Sequence, residues 1–294
     1  MSRNFLSEIL AQKREAVARM KVKPSSDRLC ERALEKRKRT VPHRLLQALV
    51  GTPHCPERFR GSAQRADFTL KIIAEFKRRS PSAGIIREDR SAEEVARSYE
   101  RGGACAISVL TDEEYFAGSI ADLAAVRSST NLPILRKDFI IDPIQIYETA
   151  AAGADAVLLI VAALDDTALD DLREVAEDQL GLDALVEVHT SMEMRRALNA
   201  GARIIGVNNR NLQTFQVSLE TSERLIAEAP HDRIMVSESG LQSAESFLRL
   251  HNLGFHGFLV GEAVMRATDP EKALRDLIVK FEAQHAGSAP GHPS

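Results

Sequence analysis

The chain has 294 residues, enough for one large domain or two ordinary ones. Hydrophobic residues make up 44% and charged residues 28%, and the net charge is -3, so the balance calls for neither nucleic acid nor an anionic membrane as partner. No apolar run approaches the roughly 18 residues of a membrane span, the opening "MSRNFLSEILAQKREAV" mixes charged and apolar residues unlike a secretory signal, and Cys30, Cys55 and Cys105 have neither zinc-ligand nor disulfide spacing; a reducing cytoplasm is the expected compartment.

In chain order, residues 5 to 20 place apolar side chains at helical spacing, and "VPHRLLQALV" (41–50) reads as a second short helix. The run "EKRKRT" (35–40) reads as a solvated basic face. "GTPHCPERFRGSAQRADF" (51–68) is rich in turn formers and reads as loop. Residues 1–65 are therefore expected to form an N-terminal helical extension packed on the rest. Over 66–280 a rhythm sets in. Apolar or β-branched runs recur at 70–76, 104–110, 132–139, 154–161, 183–189, 202–209, 232–239 and 257–262. Amphipathic stretches such as "SAEEVARSYERGG" and "SAESFLRLHNLG" separate them and end in Gly, a common helix stop. Strands alternating with helices imply a parallel sheet, and eight such units imply an α/β fold of the (β/α)8 or TIM-barrel kind. A doubly wound open sheet is the alternative, weakened by the absence of a Gly-x-Gly-x-x-Gly turn after the first strand. Residues 281–294, "FEAQHAGSAPGHPS", are expected to be a disordered tail.

A barrel of this kind carries its active site at the C-terminal ends of its strands. The polar residues there are Glu75 and Lys77 after the first run, Lys137 in the third, Glu187 in the fifth, Asn208 with Arg210 in the sixth, and Glu238 in the seventh. Side chains in a strand repeat direction every second residue. Glu187 thus shares a side with Leu185, Glu238 with Val236 and Lys137 with Leu135, so all the strand-end charges can point inward together. Three cations facing three carboxylates are costly to bury and are normally tuned for function, with a structural ion-pair network as the plainer reading. The loops "SESG" (237–240) and "VGEAVMR" (260–266) follow the last two strands, where barrels often bind phosphate through Gly backbone N–H groups; Ser80, Ser82 and Gly84 after the first strand can contribute. Plain structural readings are given to His189 (a hydrogen-bonded histidine), Cys105 (a small core residue), and Tyr147 and Phe255 (packing). These residues point to proton transfer on a phosphorylated small molecule and do not choose the substrate.

The segments "IIAEFKRRSPSAGIIRED", "SVLTDEEYFAGS", "LPILRKDFIIDPIQIYE", "LVEVHT", "IIGVNNRNLQTF", "VSESGL" and "GFLVGEAVMR", in this order from about residue 5 to about 278, closely resemble the indole-3-glycerol phosphate synthases of tryptophan biosynthesis. Arg79 departs from the small residue expected there. The resemblance implies a carboxy-lyase that closes the indole ring of 1-(2-carboxyphenylamino)-1-deoxyribulose 5-phosphate with loss of CO2 and water, with no metal or organic cofactor. It also implies roles. Lys137 resembles the general acid at the ribulose carbonyl, a lysine expected to be held near neutral pH by its neighbours. Glu187 resembles the base of the dehydration. Lys77, paired with Glu75, resembles the holder of the substrate carboxylate, and Asn208 and Arg210 resemble groups that orient carboxylate and hydroxyls. Glu238 matches a pocket carboxylate, Phe139 an apolar wall for the anthranilate ring, and Ser80, Ser239, Gly240, Gly261 and Glu262 the phosphate end, with Glu262 expected to act through its backbone N–H. The expected partner is this phosphorylated small molecule, with no nucleic acid or membrane, for a monomer or weak homodimer. Two other readings remain: a phosphoribosylanthranilate isomerase, which would need a Cys/Asp pair, and a catalytically silent phosphate-binding barrel acting as a binding module.

Overall fold

The computed structural model describes residues 5–22, 28–51 and 69–288. Three helices come first: α1 (Phe5–Lys21), α2 (Leu29–Arg37) and α3 (Arg44–Val50). The strand β1 (Ile72–Phe76) follows, then a small antiparallel hairpin of β2 (Arg79–Ser80) and β3 (Gly84–Ile85), and α4 (Ala92–Gly102). Next are β4 (Ala106–Leu110), α5 (Glu113–Phe116), α6 (Ile120–Ser129), β5 (Ile134–Lys137), α7 (Pro143–Ala152), β6 (Ala156–Ile160) and α8 (Asp166–Glu174). The chain ends with β7 (Asp183–Val188), α9 (Ser191–Asn199), β8 (Ile204–Asn208), α10 (Glu220–Ile226), β9 (Ile234–Glu238), α11 (Ala244–Leu253), β10 (Gly257–Val260), α12 (Glu262–Arg266) and α13 (Pro270–Ser288).

The strands β1 and β4 to β10 pair in parallel, and β1 pairs with both β4 and β10, so the sheet closes into an eight-stranded barrel. Local chemistry starts the helices. Ser91 and Glu94 form a reciprocal capping box on α4, while Asp142 caps α7 with Pro143 at its first position. Alternate strand residues face two cores. Ile72, Ala74, Ile107, Val157, Val186 and Val207 pack outward against the helices. Ile73, Leu135, Leu158, Leu185, Ile204, Val236 and Leu259 fill the lumen. Leu135, Leu185 and Val236 are the residues whose side Lys137, Glu187 and Glu238 share, so the pleat alone aims those charges into the lumen at the C-terminal rim.

The N-terminal helices wrap this barrel. Leu45 and Leu49 of α3 plug the lumen from below and α2 packs along α7. Two expectations change here. Arg37 is not on a solvated face: it is buried and donates to the carbonyls of Leu180 and Gly181, both at 2.8 Å, while Lys36, Lys38 and Arg39 around it are exposed. The helix α13 continues to Ser288, into the stretch expected to be a disordered tail, because Phe281 is fully buried with its ring 5.5 Å from that of His251. Residues 289–294, and residues 52–68 of the loop read over 51–68, Cys55 among them, lie outside the described residues. Cys105 is half-buried just ahead of β4 rather than within the core, and Phe255 is buried as expected. Among the described residues no helix is long and apolar enough to cross a membrane.

Candidate active site

A cavity of about 730 Å³ opens at the C-terminal rim of the barrel. The residues given catalytic or binding roles by the resemblance all lie on its wall: Glu75, Lys77, Ser80, Lys137, Phe139, Glu187, Asn208, Arg210, Glu238, Ser239, Gly240, Gly261 and Glu262; Ser82 lines it too, but Gly84, exposed in the β2–β3 hairpin, does not. Lys137, Asn208 and Glu238 are the last residues of β5, β8 and β9; Glu187 and Glu75 are the last but one of β7 and β1.

The centre is an ammonium between two carboxylates. Lys137 Nζ donates to Glu238 Oε2 at 2.8 Å and to Glu187 Oε2 at 3.2 Å. Burial works to lower the lysine, but Glu238, Glu187 and the more distant Glu75 outweigh it and hold Lys137 above its ordinary value. The expectation of a lysine near neutral pH is therefore corrected: its neighbours are anions, which keep it charged. Burial pushes Glu238 up to about 7, assisted by repulsion from Glu187 and opposed by Lys137. Burial also raises Glu187, but Lys137, His189 and a hydrogen bond from Asn208 prevail and leave it below the usual carboxylate range. Two strongly interacting carboxylates thus part company, one ionised and one ready to take a proton near neutrality. Glu238 reaches this place because Gly206 on the neighbouring strand has no side chain; a Cβ there would collide with Glu238 Oε1. That oxygen is buried and has no hydrogen-bond partner among the described residues.

A second pair lies alongside. Lys77 Nζ meets Glu75 Oε1 at 2.5 Å, and the backbone carbonyl of Glu75 accepts a bond from the buried Tyr99 hydroxyl at 3.0 Å. Gly261 makes room for the Glu75 carboxylate as Gly206 does for Glu238. Arg210 stands across the mouth and donates to Ser82 Oγ and to the Phe215 carbonyl, each at 3.2 Å, and its N–H is held by Asn208 Oδ1 at 3.0 Å. Phe139, with Leu110, Leu158 and Ile160, makes the apolar wall.

The loop end is built from backbone. Ser239 and Gly240 take successive left-handed conformations (φ 66° and 80°), uncommon for serine and typical of a functional turn. The Glu262 carboxylate turns away to Arg266 Nε at 3.0 Å. This leaves the N–H groups of Glu262 and Ala263, in the first turn of α12, without an intrahelical partner. Ser80 Oγ accepts from the Ala83 N–H at 3.2 Å and faces the cavity. Arg79, the odd residue in its motif, donates to the Glu114 carbonyl and ties the β2–β3 hairpin to α5.

The family model of indole-3-glycerol phosphate synthase matches residues 6–277. The chain belongs to the indole-3-glycerol phosphate synthase family. It is 45% identical over 277 residues to the indole-3-glycerol phosphate synthase of Carboxydothermus hydrogenoformans, an overlap of 93% of this chain and 99% of that one. Against the indole-3-glycerol phosphate synthase of Aromatoleum aromaticum it is 47% identical over 234 residues, covering 79% and 89%. Among solved structures, thiamine phosphate pyrophosphorylase from Pyrococcus furiosus superposes with a TM-score of 0.55 at 19% identity, over 74% of this chain and 97% of that one; this likeness is one of fold.

For a synthase of this family, sequence reasoning passed over part of the site. Phe5, Leu6 and Ile9 of α1 line the cavity, and the Phe5 ring bridges Tyr115 and Phe215 with centroids 5.1 Å from each. Helical spacing predicted α1 but not what its apolar face covers. Asp138, beside Lys137, also lines the cavity. It accepts from Lys13 of α1 at 2.6 Å, from Thr111 at 2.6 Å and from Arg136 at 3.1 Å. Burial raises its carboxyl, but Arg136 and Lys13 bring it down to about 2. His189, read as structural, stands with Nε2 3.5 Å from Glu187 Oε1. The signal was present in sequence: Glu187 and His189 are two residues apart in one strand run and so share a face.

Proposed function

We propose that this chain closes the indole ring of 1-(2-carboxyphenylamino)-1-deoxyribulose 5-phosphate, with Lys137 as acid and Glu187 as base. Membership of the indole-3-glycerol phosphate synthase family supports the overall reaction, a decarboxylating lyase step of tryptophan biosynthesis. The observation that carries the assignment of roles is the Lys137 ammonium held between Glu187 and Glu238 at the floor of the cavity.

In this reading the anthranilate ring lies on Phe139 and the apolar wall, its carboxylate meets Lys77 and Arg210, and the phosphate meets the N–H groups around Gly240 and Gly261 with Ser80 and Ser239 beside them. Lys137 gives its proton to the ribulose carbonyl oxygen as the aromatic carbon attacks. Loss of CO2 returns the bonding pair to the ring. The new hydroxyl then leaves as water with a proton from Lys77 or Lys137, while Glu187 takes the proton from the adjacent carbon. Glu75 and Glu238 hold the Lys77 and Lys137 ammonium groups in place, and Asn208 orients Glu187. The reading includes a cytoplasmic location, which the charge balance and cysteine usage support.

The test is indole fluorescence on mixing the purified protein with this substrate; the chain has no Trp to mask it. Lys137→Ala is expected to lower turnover on the order of 10²- to 10⁴-fold while the barrel stays folded by circular dichroism. Near-parental turnover in that variant removes Lys137 from the acid role.

A further inference from the structure

The substrate proposed above is anionic at both ends, and the cavity offers few cations to meet it. Among the described residues on its wall the lysines and arginines are Lys77, Lys137, Arg210 and Arg266. Lys77 is paired to Glu75, and Lys137 to Glu187 and Glu238. Arg210 is assigned with Lys77 to the carboxylate end. The phosphate, with about two negative charges near neutral pH, is left with backbone N–H groups and serine hydroxyls. The helix α12 adds little to these, because Glu262–Arg266 is barely more than one turn and aligns few peptide dipoles. Arg266 is the one cavity-lining cation, among the described residues, without a role so far.

Helix geometry brings its side chain to the phosphate end. Arg266 is the last residue of α12, and long side chains of a helix lie back over the turn before them. Arg266 Nε accordingly donates to Glu262 Oε1, four residues earlier, at 3.0 Å. Its Nη2 donates to the Ala83 carbonyl at 3.4 Å. The N–H of the same Ala83 donates to Ser80 Oγ at 3.2 Å, so Arg266 and Ser80 grip one residue of the β2–β3 turn from its two sides. Two other arginines lace these segments together. Arg87 donates to the Ala267 carbonyl at 2.6 Å and Arg90 to that of Thr268 at 2.7 Å. Neither of them lines the cavity, whereas Arg266 does. A guanidinium carries five N–H donors. Two of those on Arg266 are engaged; the rest have no hydrogen-bond partner among the described residues. The pair with Glu262 is open to water, with side chains 46% and 39% exposed, so it is a weak tether that leaves the outer edge of the fork available.

We propose that Arg266 binds the substrate phosphate through its outer Nη donors while Nε stays on Glu262, a role that rests on the placement of the phosphate by Gly240 and Gly261 given above. Glu262 then serves twice, its N–H toward the phosphate and its carboxylate toward the guanidinium that it aims. The Nη2 bond to Ala83 makes the contact cooperative with the β2–β3 turn: phosphate on Arg266 keeps that turn, and Ser80 with it, against α12. The phosphate is remote from the carbons that react, so Arg266 acts on affinity and takes no part in the proton transfers. The plainer role for Arg266 is to neutralise Glu262 and nothing more. The two roles part when Glu262 has no charge left to neutralise.

The test is a double-mutant cycle of Arg266→Ala and Glu262→Gln, read as kcat, as KM for the carboxyphenylamino-deoxyribulose phosphate and as Ki for inorganic phosphate competing with it. Arg266→Ala is expected to raise KM and Ki together, on the order of tenfold, as loss of a charge-assisted hydrogen bond would, with kcat near the parental value. Arg266→Lys is expected to fall between the two, since an ammonium keeps the charge and loses the fork. The deciding arm is Arg266→Ala in the Glu262→Gln background. A rise in KM and Ki that persists there puts the guanidinium on the phosphate. A rise that vanishes there makes Arg266 a counter-ion for Glu262 and overturns the proposal, as does a near-parental KM in Arg266→Ala alone. Calorimetric titration with inorganic phosphate separates this result from the reading of the reaction. A protein that binds phosphate, loses that affinity in Arg266→Ala and yet closes no indole ring keeps the Arg266 contact and loses only the proposed substrate.

Discussion

Glu238 carries the clearest pH dependence of any single residue. Its carboxylate, pushed up to about 7 by burial, is what holds Lys137 at 2.8 Å. As pH falls through that value the carboxylate takes up a proton, loses its charge and releases its hold on the ammonium. The expected outcome is a kcat/KM profile with an acid limb near pH 7 that disappears in Glu238→Gln, alongside a rate lowered on the order of tenfold at pH 8. An unchanged limb in the variant would assign it to another group. Sequence reasoning reached Glu238 from its place at a strand end and from the parity it shares with Val236. It could not reach the split between Glu238 and Glu187, because that split depends on Lys137 and Gly206, which come from other strands.

At the scale of elements, α1 is tied to the catalytic rim by one lysine. Lys13 Nζ sits 2.9 Å from Asp112, which caps α5, and 2.6 Å from Asp138, the residue after Lys137. Burial would lower Lys13, but the two carboxylates prevail and raise it. Lys13→Met leaves two buried carboxylates with one cation fewer, although Arg136 still serves Asp138. A loss of about 3 kcal/mol is expected at pH 7. The sign of the pH dependence follows from Asp138. Its folded value, about 2, lies below the ordinary 3.8, so its contribution is present above pH 4 and is lost as pH falls toward 2. The gap between parent and variant is thus expected to narrow on acidification from pH 7 to pH 3, as measured by urea unfolding. A gap already near zero at pH 7 would mean that α1 is held by its apolar face alone. The helix itself was legible from its spacing. Its Lys13 was not, since an isolated lysine in a charged helix carries no sign of which carboxylates it will meet.

The whole molecule is a barrel clasped by its own N-terminal extension, with α1 at the mouth, α2 along α7 and α3 under the lumen. One buried carboxylate joins these parts at the lower end. Asp155, ahead of β6 and fully buried, accepts from Arg44 of α3 at 2.9 Å, from Arg127 of α6 at 3.0 Å and from the Ile134 N–H at 3.0 Å, with Arg37 of α2 at 3.7 Å. Asp155→Asn removes the charge that all three guanidinium groups share. It is expected to cost roughly 3–5 kcal/mol, read by denaturant unfolding, and to expose α2 and α3 to limited proteolysis before the barrel. A variant as stable and as protease-resistant as the parent would show that the apolar plug of Leu45 and Leu49 holds the extension without the charges.

Sequence by itself determined the eight-fold strand and helix rhythm, the inward set of charges at the strand ends and the family, because each is written in short-range patterns: alternation along a strand, helical spacing, Gly at helix ends and contiguous motifs. Tertiary structure alone decided that Lys137 is kept charged, that Glu238 and Glu187 titrate apart, that Arg37 is buried, and that α1 roofs the cavity. Each of these depends on groups far apart in the chain that meet only when the barrel closes, and burial and Coulomb energy are set by those meetings.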